Sequence, residues 1–165
     1  MPVPTSPPPD GKLWRIRPLK RGDKDAVFRL LAEEGWAVPA TDQELTISWI
    51  VQHPETETLV AHDPAAYSRL YGLISMSHRP QIRLGGRVAT IDLFLVTHDQ
   101  RGHGLGQDLL AHSTRRAEAL ACKRLELHLP PGNEVRRDFF LQHGFTATES
   151  LVYVKPLKGV TGRGG

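Results

Sequence analysis

Cysteine is nearly absent: Cys122 is the single thiol in 165 residues. That excludes an internal disulfide and a thiolate metal cage. Its setting, Ala119-Leu120-Ala121-Cys122, suits a small buried hydrophobe better than a nucleophile. A large surplus of one charge is missing too. Lys+Arg number 21 against Asp+Glu 18, a net of +3. The basic pairs (Arg115-Arg116, Lys123-Arg124, Arg136-Arg137) are scattered, so no stripe for nucleic acid is expected. No apolar run is long enough for a membrane span. The start, Met1 to Lys12, lacks the apolar middle of a signal peptide, which makes a cytoplasmic protein the expectation. The eight histidines form no His-Glu-x-x-His motif, and no metal site is expected.

At this length, with 39% hydrophobic and 24% charged residues, one globular domain with a real core is expected. Residues 1–12 (Pro2, Pro4, Pro7, Pro8, Pro9) read as an extended or disordered arm, 13–157 as the domain, and 158–165 as a flexible tail. Leu13 to Arg17 alternates like a strand. Asp23 offers a cap for a helix carrying Val27, Leu30 and Leu31, and Thr41-x-x-Glu44 offers a capping box for a second. Strand patterns follow at 58–61, 69–78 and 87–96, the last entered through Gly85-Gly86. A third helix runs from about Gly104 to Ala121, and 125–129 reads as a strand. Asn133 caps a fourth helix that Gly144 stops, and 145–148 and 151–154 read as a closing strand pair.

The most informative stretch is Arg101-Gly102-His103-Gly104-Leu105-Gly106, which follows the apolar run Ile91 to Val96 and opens an amphipathic segment. A strand that passes through glycines into a helix exposes N–H groups at the positive helix end, an anion site. Glycines let a polyphosphate approach without meeting a Cβ. The dinucleotide fingerprint would need glycine where Gln107 stands, and the nucleoside-triphosphate loop needs a lysine that does not follow. The alternative is a solvated turn that only links strand to helix.

Three blocks together resemble the GNAT superfamily of acyl-CoA-dependent N-acyltransferases. They are Ile91-Asp92-Leu93-Phe94-Leu95-Val96, Arg101-x-x-Gly104-x-Gly106, and Asn133-x-x-Arg136-x-x-x-Phe140-x-x-x-Gly144-Phe145. The resemblance covers roughly residues 13–156. It implies an α/β fold of the α+β type, with a mixed, mostly antiparallel sheet of about seven strands and four helices. That sheet would splay between the loop-bearing strand and residues 125–129. It also implies acetyl-CoA as cosubstrate, with Leu95 and Val96 along the pantetheine arm. Arg101, Gly102, His103, Gly104, Leu105 and Gly106 would surround the diphosphate, with Asn133 and Phe140 beside the cofactor.

The activity so implied is transfer of an acetyl group to a primary amine, on a small molecule or a peptide, by direct attack in a ternary complex. The partner is an amine substrate, and the protein is expected as a monomer or homodimer. Asp92 interrupts an apolar strand and is the candidate base; alternation would set it on the face opposite Leu93 and Leu95. Its other reading is a strand carboxylate paired with arginine or solvent. Many family members carry a tyrosine acid at the position of Phe140, which cannot donate. Tyr71, Ser77, His78, His143 and Tyr153 remain as types that can, or the thiolate leaves unaided. The missing tyrosine also leaves open a sensor that binds acyl-CoA without turnover. Glu33, Glu34 and Trp36, between the first two helices, resemble the loop over the acceptor pocket; an acidic helix end beside a packed tryptophan is the stronger reading of the residues themselves.

Overall fold

The computed structural model describes residues 11–157. The expectations for residues 1–10 of the arm and for the tail from 158 lie outside the described residues. The chain divides into two compact units between His128 and Leu129.

The first unit is built on a five-stranded sheet in the order β1 (Arg15–Pro18), β2 (Thr56–Asp63), β3 (Ala66–Gln81), β4 (Gly86–Val96) and β5 (Cys122–Leu127). Pairing is antiparallel from β1 to β4 and parallel between β4 and β5. This is the mixed, mostly antiparallel sheet that the family resemblance implies. Helices α1 (Lys24–Glu33) and α2 (Ala40–Gln52) follow β1, and α3 (Leu105–Ala119) makes the crossover that a parallel β4–β5 pair requires.

The alternating side chains of the sheet feed two cores. On one face Val60, Leu70, Leu73 and Leu95 pack with Val27, Phe28, Leu30 and Leu31 of α1 and Ile47 of α2. On the other, Met76 and Ala89 pack with Ala117 of α3. Each fully buried aliphatic side chain contributes about 1.5–3 kcal/mol. Gly72 sets how closely α3 approaches: a Cβ there would stand 2.6 Å from the Leu95 carbonyl oxygen and 3.3 Å from Leu109 Cδ1. Only a residue without a side chain lets β3, the end of β4 and the first turns of α3 come together.

Two caps differ from expectation. Asp23 does not cap α1. It closes a 3-10 turn, Arg21–Asp23, where its carboxylate accepts the Lys20 N–H (2.8 Å) and both Arg17 Nη atoms (2.7 and 2.8 Å). A charged partner outcompetes the helix N–H groups for the same oxygens. Helix α2 starts one residue earlier than its supposed box, at Ala40 after Pro39, and Thr41 Oγ1 donates to Asp42 instead. Proline fixes φ and suits a helix entry, so Thr41 falls inside the first turn.

The second unit holds α4 (Glu134–Gln142), capped as expected by Asn133, whose Oδ1 accepts the Arg136 N–H at 3.0 Å. Phe140 stacks edge-on with Phe139 and Phe145. The expected strands at 145–148 and 151–154 are not formed, so the described residues hold five strands where about seven were expected. Alternation alone does not make a strand; a neighbouring ladder has to take its backbone hydrogen bonds.

Candidate active site

The site grows from one irregularity in β4. Ser75 of β3 pairs with Leu93 while the next residue, Met76, pairs with Ile91, so Asp92 is an extra residue in the strand. This bulge breaks the alternation that was to place Asp92 opposite Leu93 and Leu95. Ile91 stays in register with Met76, on the face of α3, and Leu93 packs with Leu95 against the α1–α2 core. Asp92 stands exposed at the changeover. Bulges of this kind re-aim a side chain and end a pairing.

The pairing does end there. β5 follows β4 through Ile91↔Leu127 and no further, so Asp92 to Val96 have lost their partner on that edge. Pairing thus ends between the two segments where the family resemblance implies a splay. Thr97 N–H donates to the Tyr71 carbonyl on the β3 side at 2.8 Å. Successive residues of a strand turn their N–H and C=O to opposite edges, so Val96 directs both groups at the opening. The Val96 carbonyl is met by Arg101 Nε at 3.0 Å.

Beyond Val96 a 3-10 turn, His98–Gln100, leads into the glycine loop. Gly102 (φ 79°) and Gly104 (φ 90°) adopt left-handed backbone, and a Cβ at either would meet nothing within 4 Å. The first backbone bond of α3 is Asp108 N–H to the Gly104 carbonyl at 3.0 Å. Gly104, as N-cap, has no side chain to offer the N–H groups of Leu105, Gly106 and Gln107, which face out of the helix end. Leu105 and Leu109 are fully buried and hold that end against the sheet. Leu105 thus contributes its main chain to the loop and its side chain to the core.

The other expected site residues divide in two groups. Leu95 is buried in the α1–α2 core. Arg101 Nη2 holds Glu34 Oε2 at 2.9 Å, which ties the loop to the end of α1. Glu33 and Glu34 line a cavity of about 490 Å³ with Arg29, Arg69, Tyr71 and Asp99, and Trp36 is not part of its lining. His103 and Gly104 line a second cavity, of about 530 Å³, with Lys12 and Trp14. Asn133 and Phe140 belong to the second unit.

Two of the candidate acids are committed elsewhere. Tyr71 donates to Asp63 Oδ2 at 2.8 Å. Burial and that bond raise its phenol above the ordinary value. His78 is buried, and its Nδ1 lies 2.9 Å from Arg87 Nη1, a pure donor, so the ring proton sits on Nε2. Among the described residues no cluster of His, Cys, Asp and Glu is arranged to hold a metal ion, and no helix is long and apolar enough to cross a membrane.

Sequence reasoning missed one constellation. Lys12 Nζ and Trp14 Nε1 both donate to Asp108 Oδ2 at 2.9 Å, fastening the segment before β1 to the first turn of α3. Burial alone would raise the Asp108 carboxyl, but these donors outweigh it and hold it below the usual range. The partners are 94 and 96 residues apart, so no local pattern announces them.

The sequence model of the acetyltransferase (GNAT) family matches residues 24–145. No curated protein sequence matches the chain. Solved structures share the fold. A ribosomal-protein-alanine N-acetyltransferase from Brucella melitensis biovar Abortus 2308 is 24% identical over 87% of this chain and 99% of its own, with a TM-score of 0.68. The aminoglycoside antibiotic 6′-N-acetyltransferase AAC(6')-Ih from Acinetobacter baumannii is 18% identical over 88% and 99%, with a TM-score of 0.74. AAC(6')-Iy, in complex with the bisubstrate analogue CoA-S-monomethyl-acetylneamine, is 18% identical over 87% and 98%, also at 0.74.

Proposed function

This chain belongs to the GNAT acetyltransferase family, and we propose that it moves the acetyl group of acetyl-CoA to a primary amine by direct attack, with both substrates bound together. The observation that carries the reading is the end of β4–β5 pairing at Ile91↔Leu127, beside the uncapped start of α3. The opened edge offers the Val96 main chain to an extended amide-bearing arm, as a neighbouring strand would. The N–H groups of residues 105–107 and the open space around Gly102 and Gly104 suit a diphosphate. The residues present therefore fit the cosubstrate.

Each residue then has a task. Arg101 secures the loop by bonding the Val96 carbonyl and Glu34. Val96 N–H, directed at the opening, polarises the thioester carbonyl and stabilises the charge that develops on its oxygen. A lysine-like amine, with a pKa of about 10.4, is neutral in roughly one molecule in a few thousand at pH 7. Asp92, exposed at the bulge, takes its proton directly or through a water. The leaving thiol, with a pKa of about 8.5, departs as thiolate without a dedicated acid. Among the described residues no activated nucleophile stands out, so direct attack needs no covalent intermediate.

A second reading, a sensor that binds acyl-CoA without turnover, draws on Phe140, packed between Phe139 and Phe145 where a family tyrosine would donate a proton. One experiment separates the two. Thiol release from acetyl-CoA is followed across a panel of small amines and peptides, alongside calorimetry of CoA binding. Amine-dependent release supports the enzyme. Binding without release over any amine supports the sensor, and no binding at millimolar CoA refutes both.

A further inference from the structure

The cavity of about 530 Å³ opens from the glycine loop itself, since His103 and Gly104 belong to both. Its size is that of a small-molecule site, about 300–1,000 Å³. Two exposed polar side chains on its lining, His103 and Gln107, make no hydrogen bond or ion pair among the described residues. Leu13, 63% exposed, and Ala111 add apolar surface to the same lining. An apolar wall with a few open polar groups is what a flat heterocycle needs.

The lining also holds a cation. Lys12 Nζ is fixed by Asp108 Oδ2 at 2.9 Å. Asp108, four residues after Gly104, lies about 6 Å further along the helix axis, and its side chain leans back toward the loop. The ammonium therefore stands apart from the N–H groups of residues 105–107 but on the same helix end. Coenzyme A has a matching layout. Its adenosine joins the diphosphate at the ribose 5′ position and carries a separate phosphate at the 3′ position. A diphosphate at the loop thus requires room beyond it for a purine, and for a second anion one ribose away.

We propose that this cavity receives the 3′-phosphoadenosine end of the cosubstrate, with Lys12 on the 3′-phosphate and Gln107 on the adenine edge. Lys12 exchanges Asp108 for the phosphate. Its side chain is 45% exposed, an exposed ion pair is worth little, and a phosphate offers more charge than a carboxylate. Asp108 is not orphaned by the exchange, because Trp14 Nε1 still donates to the same oxygen at 2.9 Å. The Gln107 amide carries the donor and acceptor that match adenine N7 and N6. The segment before β1 thereby becomes one wall of the nucleotide site. The inference rests on the acetyl-CoA reading and deepens it; Lys12 and Gln107 are its specificity-determining residues.

The test is calorimetry of CoA and of 3′-dephospho-CoA on the full chain. Wild type binds CoA tighter by about tenfold or more, the worth of one charge-assisted contact. Lys12→Met brings that ratio to near one by weakening CoA alone, and Lys12→Arg, which keeps the charge, restores most of it. Gln107→Leu weakens both ligands by a similar severalfold factor and leaves the ratio as it was. Thermal melting without ligand confirms that each variant is folded. Equal weakening of both ligands by Lys12→Met overturns the proposal, because it marks an indirect effect through Asp108 and the loop. A wild-type ratio near one, or a ratio that survives Lys12→Met, also overturns it and leaves acetyl transfer standing. Unchanged affinities in Gln107→Leu overturn the adenine contact. Binding of neither ligand at millimolar concentration overturns the acetyl-CoA reading as well.

Discussion

Replacing Gly104 separates the anion site from the stability of the fold. Gly104 sits at φ 90°, and a Cβ added there meets nothing within 4 Å, so no protein atom resists a side chain. The Gly104→Ala cost to folding is backbone strain alone, about 1–2 kcal/mol for an L-residue in left-handed geometry. For a chain of this size that lowers Tm by roughly 2–4 °C per kcal/mol. Gly104→Glu carries the same strain and adds a carboxylate at the mouth of the helix end. A unit charge about 5 Å from one phosphate charge repels it by about 3 kcal/mol at an effective dielectric near 20. That amounts to roughly a hundredfold in affinity. The two variants should therefore melt within a degree or two of each other, yet differ by about two orders of magnitude in CoA affinity. Differential scanning fluorimetry and calorimetry measure the two quantities. Equal CoA affinity in Gly104→Ala and Gly104→Glu would refute the placement of the diphosphate at this loop.

Other expectations follow from the same geometry. Asp92→Asn should lower kcat/KM by about 10²–10⁴ with acetyl-CoA affinity unchanged; a loss under tenfold takes the base role from Asp92. Asp23→Asn should cost about 1–3 kcal/mol, because the half-buried Arg17 loses its charged, bidentate partner. Urea unfolding reads that cost, and a change below about 1 kcal/mol contradicts it. Burial alone would raise the carboxyls of Asp23 and Asp108, but Arg17 with the Lys20 N–H, and Lys12 with Trp14, hold both below their ordinary values. A depressed carboxyl binds its proton more readily in the unfolded chain. Its stabilisation is complete above the unfolded pKa of about 3.9 and drains away as pH falls through the folded one. Unfolding free energy should thus fall more steeply below about pH 4 in wild type than in Asp108→Asn, and identical slopes would count against the Asp108 contacts.

Much of this protein was legible before its fold. The run 91–96, the glycines at 102 and 104 and the asparagine at 133 are local signals. Each depends on backbone conformation or on neighbours within a few residues, and the structure shows the strand, the left-handed turns and the cap at those places. The caps at Asp23 and Thr41 were misjudged because distant or preceding residues claimed those groups: Arg17 took the carboxylate, and Pro39 moved the helix start. The strand pattern at 151–154 met no ladder, and hydrogen-bonded neighbours are not written into a four-residue alternation.

The amino-acid sequence by itself determined the order of elements as far as α4, the glycine turn into α3 and the family, because periodicity, positive φ and helix capping act over a few residues. Tertiary structure alone decided the rest: the bulge at Asp92, the last β4–β5 pair at Ile91 and Leu127, and the fastening of Lys12 and Trp14 to Asp108. Each of these is a matter of register or of contact between segments far apart in the chain. Register is settled by the whole sheet packing against its helices, where a shift of one residue would turn every side chain of a strand to the other face.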